Sequence, residues 1–138
     1  MLLTKTFGFV KPNATKDRLE DLILADIQAA GLTILSTTRG TLSREAAETF
    51  YAEHKERPFF GELVDFMVSG EVIGFVLEGQ DAVITYRTLM GATDPQDAAE
   101  GTLRKKYAKI KAENSVHGSD SDASAEREIE LYHRVLFA

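Results

Sequence analysis

Three stretches of the chain carry patterns of hydrophobic and polar residues that predict β-strands. Residues 3–10 are rich in Thr, Phe and Val, and the strand they predict ends before Pro12, because proline cannot donate a hydrogen bond to a neighbouring strand. Residues 32–40 predict a second strand that ends at Gly40. Residues 71–79 contain an unbroken apolar run, which predicts a strand at the centre of a sheet with both faces covered.

Other segments repeat apolar residues at helical spacing. Residues 15–30 predict one helix that stops at Gly31, with an inward face formed by Leu19, Leu22, Ile23, Ile27 and Ala30. Ser43 is expected to cap a second helix, and further helices are predicted after Gly61, over residues 80–90 and over residues 122–133. We interpret residues 103–111 as basic and irregular, and residues 114–121 as a polar loop.

Length and composition limit the possible functions. A chain of 138 residues predicts one domain with a real hydrophobic core, so one site must carry the chemistry. Cysteine is absent, no apolar run approaches the ~20 residues that span a membrane, and the first residues lack the apolar core of a signal peptide. We therefore expect a soluble, cytoplasmic protein that does not act at a membrane. The net charge of −6 argues against a specific nucleic-acid partner, so an anionic ligand must be held by a few placed cations.

His117 is the candidate nucleophile, because it lies among small and polar residues with Gly118 behind it. Glu128 lies beside the apolar face of the predicted helix over residues 122–133 and is placed to bond one nitrogen of His117, leaving the other free to attack. The alternatives are an incidental histidine in a polar loop and a solvated helix glutamate. A histidine metal site is not indicated, since the three histidines show no metal-ligand spacing.

Three cations lie beside breaks in the chain and are candidates to bind phosphate: Lys11, Arg87 and Arg104. Each alone is also consistent with an ordinary surface charge. One of the adjacent aromatic residues Phe59 and Phe60 is a candidate stacking surface, whereas Tyr51 is equally consistent with a core edge. Neither a P-loop nor a dinucleotide-binding glycine motif occurs.

The segment Asn114-Ser115-Val116-His117-Gly118-Ser119-Asp120-Ser121 closely resembles the active-site signature N-x-x-H-G-S-D of nucleoside diphosphate kinases. Further positions resemble the family in the same order over nearly the whole chain: Lys11-Pro12, Tyr51, Arg57-Pro58-Phe59-Phe60, Ser69-Gly70, Leu77-Glu78-Gly79, Arg87, Met90-Gly91-Ala92-Thr93, Gly101-Thr102-Leu103-Arg104 and Glu128.

The resemblance implies an α/β (α+β) fold of one domain over residues 1–138, with a ferredoxin-like antiparallel sheet covered by helices. It implies a ping-pong reaction in which His117 takes the γ-phosphoryl group of a nucleoside triphosphate, mainly ATP, and passes it to a nucleoside diphosphate of any base. Glu128 would orient His117, and the other implied roles are phosphate binding by Lys11, Tyr51, Arg87, Thr93 and Arg104, ribose binding by Lys11 and Asn114, and base stacking by Phe59.

The resemblance also implies Mg²⁺ held through phosphates and water rather than by protein ligands, and a dimer-based homo-oligomer, with a tetramer or hexamer possible. Three positions depart from the family pattern. Asn13 stands where Asp is usual, Asp21 where Gly is usual and Glu71 where Pro is usual. The alternative from another class is a scaffold of the same family that binds nucleotides or a protein partner and has lost turnover.

Overall fold

A computed structural model describes residues 3–109 and 114–137 and contains one antiparallel sheet. Within the described residues its four strands are β1 (Leu3–Val10), β2 (Thr33–Gly40), β3 (Val72–Gln80) and β4 (Val116–Gly118), in the order β2-β3-β1-β4. The strands predicted over residues 3–10, 32–40 and 71–79 are confirmed, and β3 lies between two other strands as its unbroken apolar run predicts.

Helices connect the strands. Their bounds are α1 (Pro12–Lys16), α2 (Glu20–Ala29), α3 (Arg44–Phe50), α4 (Phe60–Met67), α5 (Ala82–Met90), α6 (Leu103–Tyr107) and α7 (Asp122–Leu131). A short 3₁₀ turn (Ala52–His54) follows α3, and a π-helical turn (Tyr132–Leu136) follows α7. Ser43 caps α3 as predicted, since its hydroxyl accepts a hydrogen bond from the Ala46 amide.

Each face of the sheet is covered by its own hydrophobic core. Phe7 and Phe9 of β1 point to the face that packs against α3, α4 and the π-helical turn. Ile73, Phe75 and Leu77 of β3 point to the opposite face, where α2 and α5 pack. Successive side chains of a strand point to opposite sides, so the continuous apolar run of β3 serves both cores.

The helix predicted over residues 15–30 is wrong in its first turns. The chain forms α1, breaks, and restarts as α2, because Arg18 adopts a left-handed backbone conformation with φ of 59° that no helix can continue. Leu22, predicted to face inward, is 54% exposed, and Ala30 is exposed as well, whereas Ile23 and Ile27 are fully buried. Gly31 ends the segment with φ of 93°, as predicted.

Two segments predicted to be irregular are ordered. Within residues 103–111, α6 forms because the Thr102 hydroxyl accepts from the Lys105 amide and caps it; residues 110 and 111 lie outside the described residues. Within residues 114–121, β4 pairs with β1, so that His117 lies opposite Phe9. The described helices include none that is long and apolar enough to cross a membrane.

Candidate active site

His117 lies on a short strand, in a pocket of aromatic rings. Its ring centroid is 5.2 Å from that of Phe50, 6.0 Å from Phe9, 6.2 Å from Tyr51 and 6.4 Å from Phe7. The side chain remains 19% exposed, so one part of the ring still reaches the surface. The prediction of a polar loop around His117 is therefore wrong, because pairing with β1 brings the aromatic residues of the core against the imidazole.

Glu128 and Ser119 fix one nitrogen of this imidazole. Nε2 of His117 lies 2.9 Å from Oε1 of Glu128, and the Ser119 hydroxyl donates to the same carboxylate oxygen at 2.8 Å. The carboxylate is 5% exposed. An ionised carboxylate can only accept, so Nε2 carries the hydrogen of this bond and Nδ1 of the neutral ring keeps its lone pair. The described residues provide no hydrogen bond to Nδ1.

The position of Glu128 depends on how α7 is anchored. Ser121 caps the helix by accepting from the Ser124 amide. At the other end, the Tyr132 hydroxyl lies 2.9 Å from the Ser36 hydroxyl and 2.7 Å from that of Thr38, both on β2. These bonds hold α7 against the sheet, with Glu128 on the buried face of the helix.

The pKa of His117 is set by opposing influences. Burial among the rings lowers it below its usual value, because the charged imidazolium is poorly solvated there. The hydrogen bond and negative charge of Glu128 raise it, and the positive charges of Lys11 and Arg104 lower it again. The lowering influences dominate, so the ring is neutral and nucleophilic near pH 7.

Lys11 and Arg104 bring two buried positive charges to the same place. The Lys11 ammonium donates to Asn114 Oδ1 at 2.9 Å, and Arg104 donates to the Gly91 and Val116 carbonyl oxygens at 3.0 Å each. Burial, and secondarily the charge of Arg104, lower the pKa of Lys11 to about 7. Burial also lowers the pKa of Arg104, and the charge of Arg87 adds to this. Neighbouring groups with perturbed pKa values are typical of functional sites, and two cations placed together suit an anionic ligand.

The remaining predicted residues surround this centre. Tyr51 is buried, and its hydroxyl has no hydrogen-bond partner among the described residues. Arg87 on α5 and Thr93 are exposed, and the Thr93 carbonyl oxygen accepts from the side-chain amide Nδ2 of Asn114 at 3.4 Å. Phe59 is 46% exposed at the start of α4, with its ring centroid 5.6 Å from that of His54.

Comparisons with known proteins place this geometry in a family. The family model for nucleoside diphosphate kinase matches residues 4–135. A nucleoside diphosphate kinase of Rhodopseudomonas palustris is 57% identical over 129 residues, covering 94% of this chain and 92% of the relative. The chain belongs to the nucleoside diphosphate kinase family.

Solved structures agree with the fold. The nucleoside diphosphate kinase of Aquifex aeolicus superimposes with a TM-score of 0.93 at 37% identity, covering 95% of each chain. That of Halobacterium salinarum, solved in complex with CDP, superimposes with a TM-score of 0.90 at 42% identity, covering 93% of this chain and 86% of that one. The predicted fold of one antiparallel sheet covered by helices is confirmed.

The family relationship gives the activity. The protein is a phosphotransferase with the activity of a nucleoside diphosphate kinase, and nucleotides are its substrates. The alternative of a binding scaffold without turnover is not supported. Phosphoryl transfer between nucleotides is consistent with a need for a divalent cation, yet no group of three or more His, Cys, Asp or Glu side chains in the described part of the chain is arranged to hold one.

Ser119 has no role of its own in the site predicted from the sequence. The structure assigns the cap to Ser121 and directs Ser119 to Glu128. Ser119 also accepts from the Phe7 amide at 3.3 Å, so β1 holds it in place. The signals in the sequence were its place in the histidine signature and its hydroxyl two residues after His117.

Proposed function

We propose that Nδ1 of His117 is the atom that accepts the phosphoryl group in this kinase. The observation that carries the proposal is the 2.9 Å contact between His117 Nε2 and Glu128 Oε1, because it assigns the hydrogen to Nε2 and leaves the lone pair on Nδ1. Glu128 is the orienting residue, and Ser119 holds Glu128 in turn.

The reaction then runs in two balanced halves. The Nδ1 lone pair forms a bond to the γ-phosphorus of the donor triphosphate, the bond from that phosphorus to the bridging oxygen breaks, and the diphosphate leaves with the electron pair. The Nε2 proton stays on the ring, so the phosphorylated imidazole is positively charged and Glu128 stabilises it. An oxygen of the acceptor diphosphate next attacks the phosphorus, and the electron pair of the P–N bond returns to Nδ1.

The cationic cluster is the proposed phosphate site. Lys11, Arg87 and Arg104 neutralise the charge of the phosphoryl groups, and preorganised charges in a water-poor site stabilise a transition state more than the same charges in water. Tyr51 offers a buried hydroxyl without a partner among the described residues, which a phosphate oxygen would satisfy. Thr93 adds a second hydroxyl at the exposed side.

Sugar and base recognition use different residues. Lys11 and Asn114 already bond each other at 2.9 Å, and we assign them to the ribose 3′-hydroxyl. Phe59 presents an exposed aromatic face for the base, which supports broad base specificity, since every base can stack. The Halobacterium salinarum relative was solved in complex with CDP, which supports a nucleoside diphosphate as a ligand of this fold.

Mg²⁺ is the proposed cofactor, brought in by the nucleotide. The fit is indirect, because the described residues hold no group of three or more His, Cys, Asp or Glu side chains, and the Glu128 carboxylate already bonds His117 and Ser119. When bound to the phosphates, the ion supplies charge neutralisation. The chain's own Lys11 and Arg104 would meet the phosphate oxygens that the ion leaves free.

We further propose that residues 1–138 form one kinase domain and that this domain is located in the cytoplasm.

We also propose that the domain assembles as a dimer-based homo-oligomer. In the described sheet β2 is an edge strand, and Leu22 and Leu35 are 54% and 46% exposed, which supports burial of this side against a second copy. Light scattering at micromolar concentration is expected to give at least a dimer. A mass of one chain would contradict the assembly.

The function is tested by incubating the protein with γ-labelled ATP. We expect an acid-labile, base-stable label that a nucleoside diphosphate removes. His117→Ala should lose both labelling and exchange while remaining folded by circular dichroism, at a stability cost of about 1–3 kcal/mol from lost ring contacts. His133→Ala, which changes an exposed histidine, is the matched control. Label retained by His117→Ala would refute the assignment.

A further inference from the structure

Ser115 has a backbone conformation that residues other than glycine seldom adopt. It is fully buried, with φ of 73°, and lies between Asn114 and the first residue of β4. The left-handed region favours glycine, and residues other than glycine found there are held by their surroundings. The conformation turns the chain so that Asn114 faces Lys11 while Val116 enters the sheet.

Three hydrogen bonds hold Ser115 in this conformation. Its hydroxyl accepts from the Asn13 side-chain amide at 2.9 Å and donates to the Tyr107 carbonyl oxygen at 3.0 Å. Its carbonyl oxygen accepts from the Lys11 amide at 2.8 Å. The hydroxyl therefore uses its one hydrogen and one acceptor position at the same time, and Asn13 is the donor that makes this possible.

The far end of this arrangement is anchored as well. The Tyr107 hydroxyl donates to Asp26 Oδ2 at 2.8 Å, and Lys106 forms an ion pair with the same oxygen at 2.5 Å. The end of α6 is thus tied to α2 by side chains and to Ser115 by its carbonyl oxygen. Because Arg104 lies on α6, one chain of contacts connects it to Lys11 and Asn114.

We propose that Asn13 and Ser115 form a latch, the Asn13–Ser115 latch, that positions Asn114 against Lys11 and thereby sets selection for the 3′-hydroxyl of the nucleotide. The inference rests on the proposed function, in which Lys11 and Asn114 contact that hydroxyl. Asn13 and Ser115 are positioning residues, since they act through Asn114. Asn13 stands where the family usually has Asp. An amide can donate to the Ser115 hydroxyl and a carboxylate cannot, so the latch depends on this departure.

The test compares ADP with 3′-deoxy-ADP as phosphoryl acceptors, using the ratio of their kcat/KM values. The wild-type protein should favour ADP strongly, since a site built to bond a hydroxyl rejects an acceptor that lacks it. Ser115→Ala keeps the Cβ but loses both hydroxyl bonds, and it should lower the ratio at least about tenfold. Asn13→Ala removes only the donor and should lower the ratio less.

Controls separate positioning from stability. A merely destabilised protein loses activity with both acceptors equally, so its ratio stays at the wild-type value. Ser43→Ala removes a hydroxyl that caps α3 and serves as the matched control, expected to lower the melting temperature without moving the ratio. Ser115→Gly relieves the backbone strain but lacks the hydroxyl, and it should behave as Ser115→Ala does.

The outcomes distinguish the two proposals. A wild-type ratio near one would overturn the assignment of Lys11 and Asn114 to the 3′-hydroxyl, and the latch with it. A high wild-type ratio that persists in Ser115→Ala and Ser115→Gly would overturn the latch alone. If Ser115→Ala does not fold, the glycine variant and Asn13→Ala decide in the same way. The double variant Asn13→Ala/Ser115→Ala should resemble Ser115→Ala alone, because both changes break one interaction, and an additive loss would contradict the latch.

Discussion

Replacing Glu128 with Gln tests the orienting role at almost constant shape. The carboxylate accepts from His117 and from Ser119 at a single oxygen and is 5% exposed, so both bonds are largely shielded from solvent. An amide oxygen can still accept, but it is neutral. The change removes the negative charge that faces the ring as the ring becomes a phosphorylated cation.

The size of the effect follows from that charge. A hydrogen bond to a charged group contributes about 1.5–3 kcal/mol. Each 1.36 kcal/mol is a factor of ten in rate, so formation of phosphohistidine should slow by about tenfold to 150-fold. Glu128→Ala also leaves a cavity and an unpaired Ser119, and we expect it to keep some labelling at a lower rate than the Gln variant.

Single-turnover labelling with γ-labelled ATP, followed by rapid quenching, measures this rate directly. Glu126→Gln, an exposed residue on the same helix, is the matched control and should react at the wild-type rate. The pH profile gives a second readout. Since Glu128 raises the pKa of His117, its removal should lower that pKa and move the acid limb of the profile to lower pH. An unchanged rate in Glu128→Gln, or equal slowing in Glu128→Gln and Glu126→Gln, would show that Glu128 is an ordinary helix residue.

Two further predictions concern Lys11 and Phe59. Burial lowers the pKa of Lys11 from 10.5 to about 7, so the unfolded chain binds more protons between these values and stability should rise with pH across that window. Lys11→Met should lose this rise in thermal melts at pH values inside the window, and an identical pH dependence would refute it. Phe59→Ala should raise KM by about 5- to 150-fold for purine and pyrimidine diphosphates alike, with kcat little changed, because stacking contributes about 1–3 kcal/mol for any base. Steady-state kinetics with ADP and CDP measure both KM values. A rise in KM for only one of the two diphosphates would contradict the prediction.

Much of the fold could be predicted from local patterns. The strands β1, β2 and β3 and the capped helix α3 follow from alternation, apolar runs and Ser43, all of which are readable within a few residues. The failures have different causes. The helix over residues 15–30 breaks at the left-handed backbone of Arg18, which the apolar spacing does not signal. The strand β4 depends on a partner distant in sequence, because it forms where β1 is available to pair with it.

The candidate site divides in the same way. The candidate residues for phosphoryl transfer, such as His117, Glu128 and Lys11, could be predicted because their side-chain chemistry and their order can be read from the sequence. The sequence by itself also determined that a few placed cations must hold any anion, since the net charge is −6.

Only the tertiary structure decided which nitrogen of His117 is free, how far burial lowers the pKa of Lys11, and that Ser119 bonds Glu128 while Ser115 bonds Asn13. These properties depend on distances between groups separated by up to 112 positions, such as Phe7 and Ser119. Such distances exist only after the sheet has formed, because pairing of β1 with β4 brings residues 8–10 beside residues 116–118.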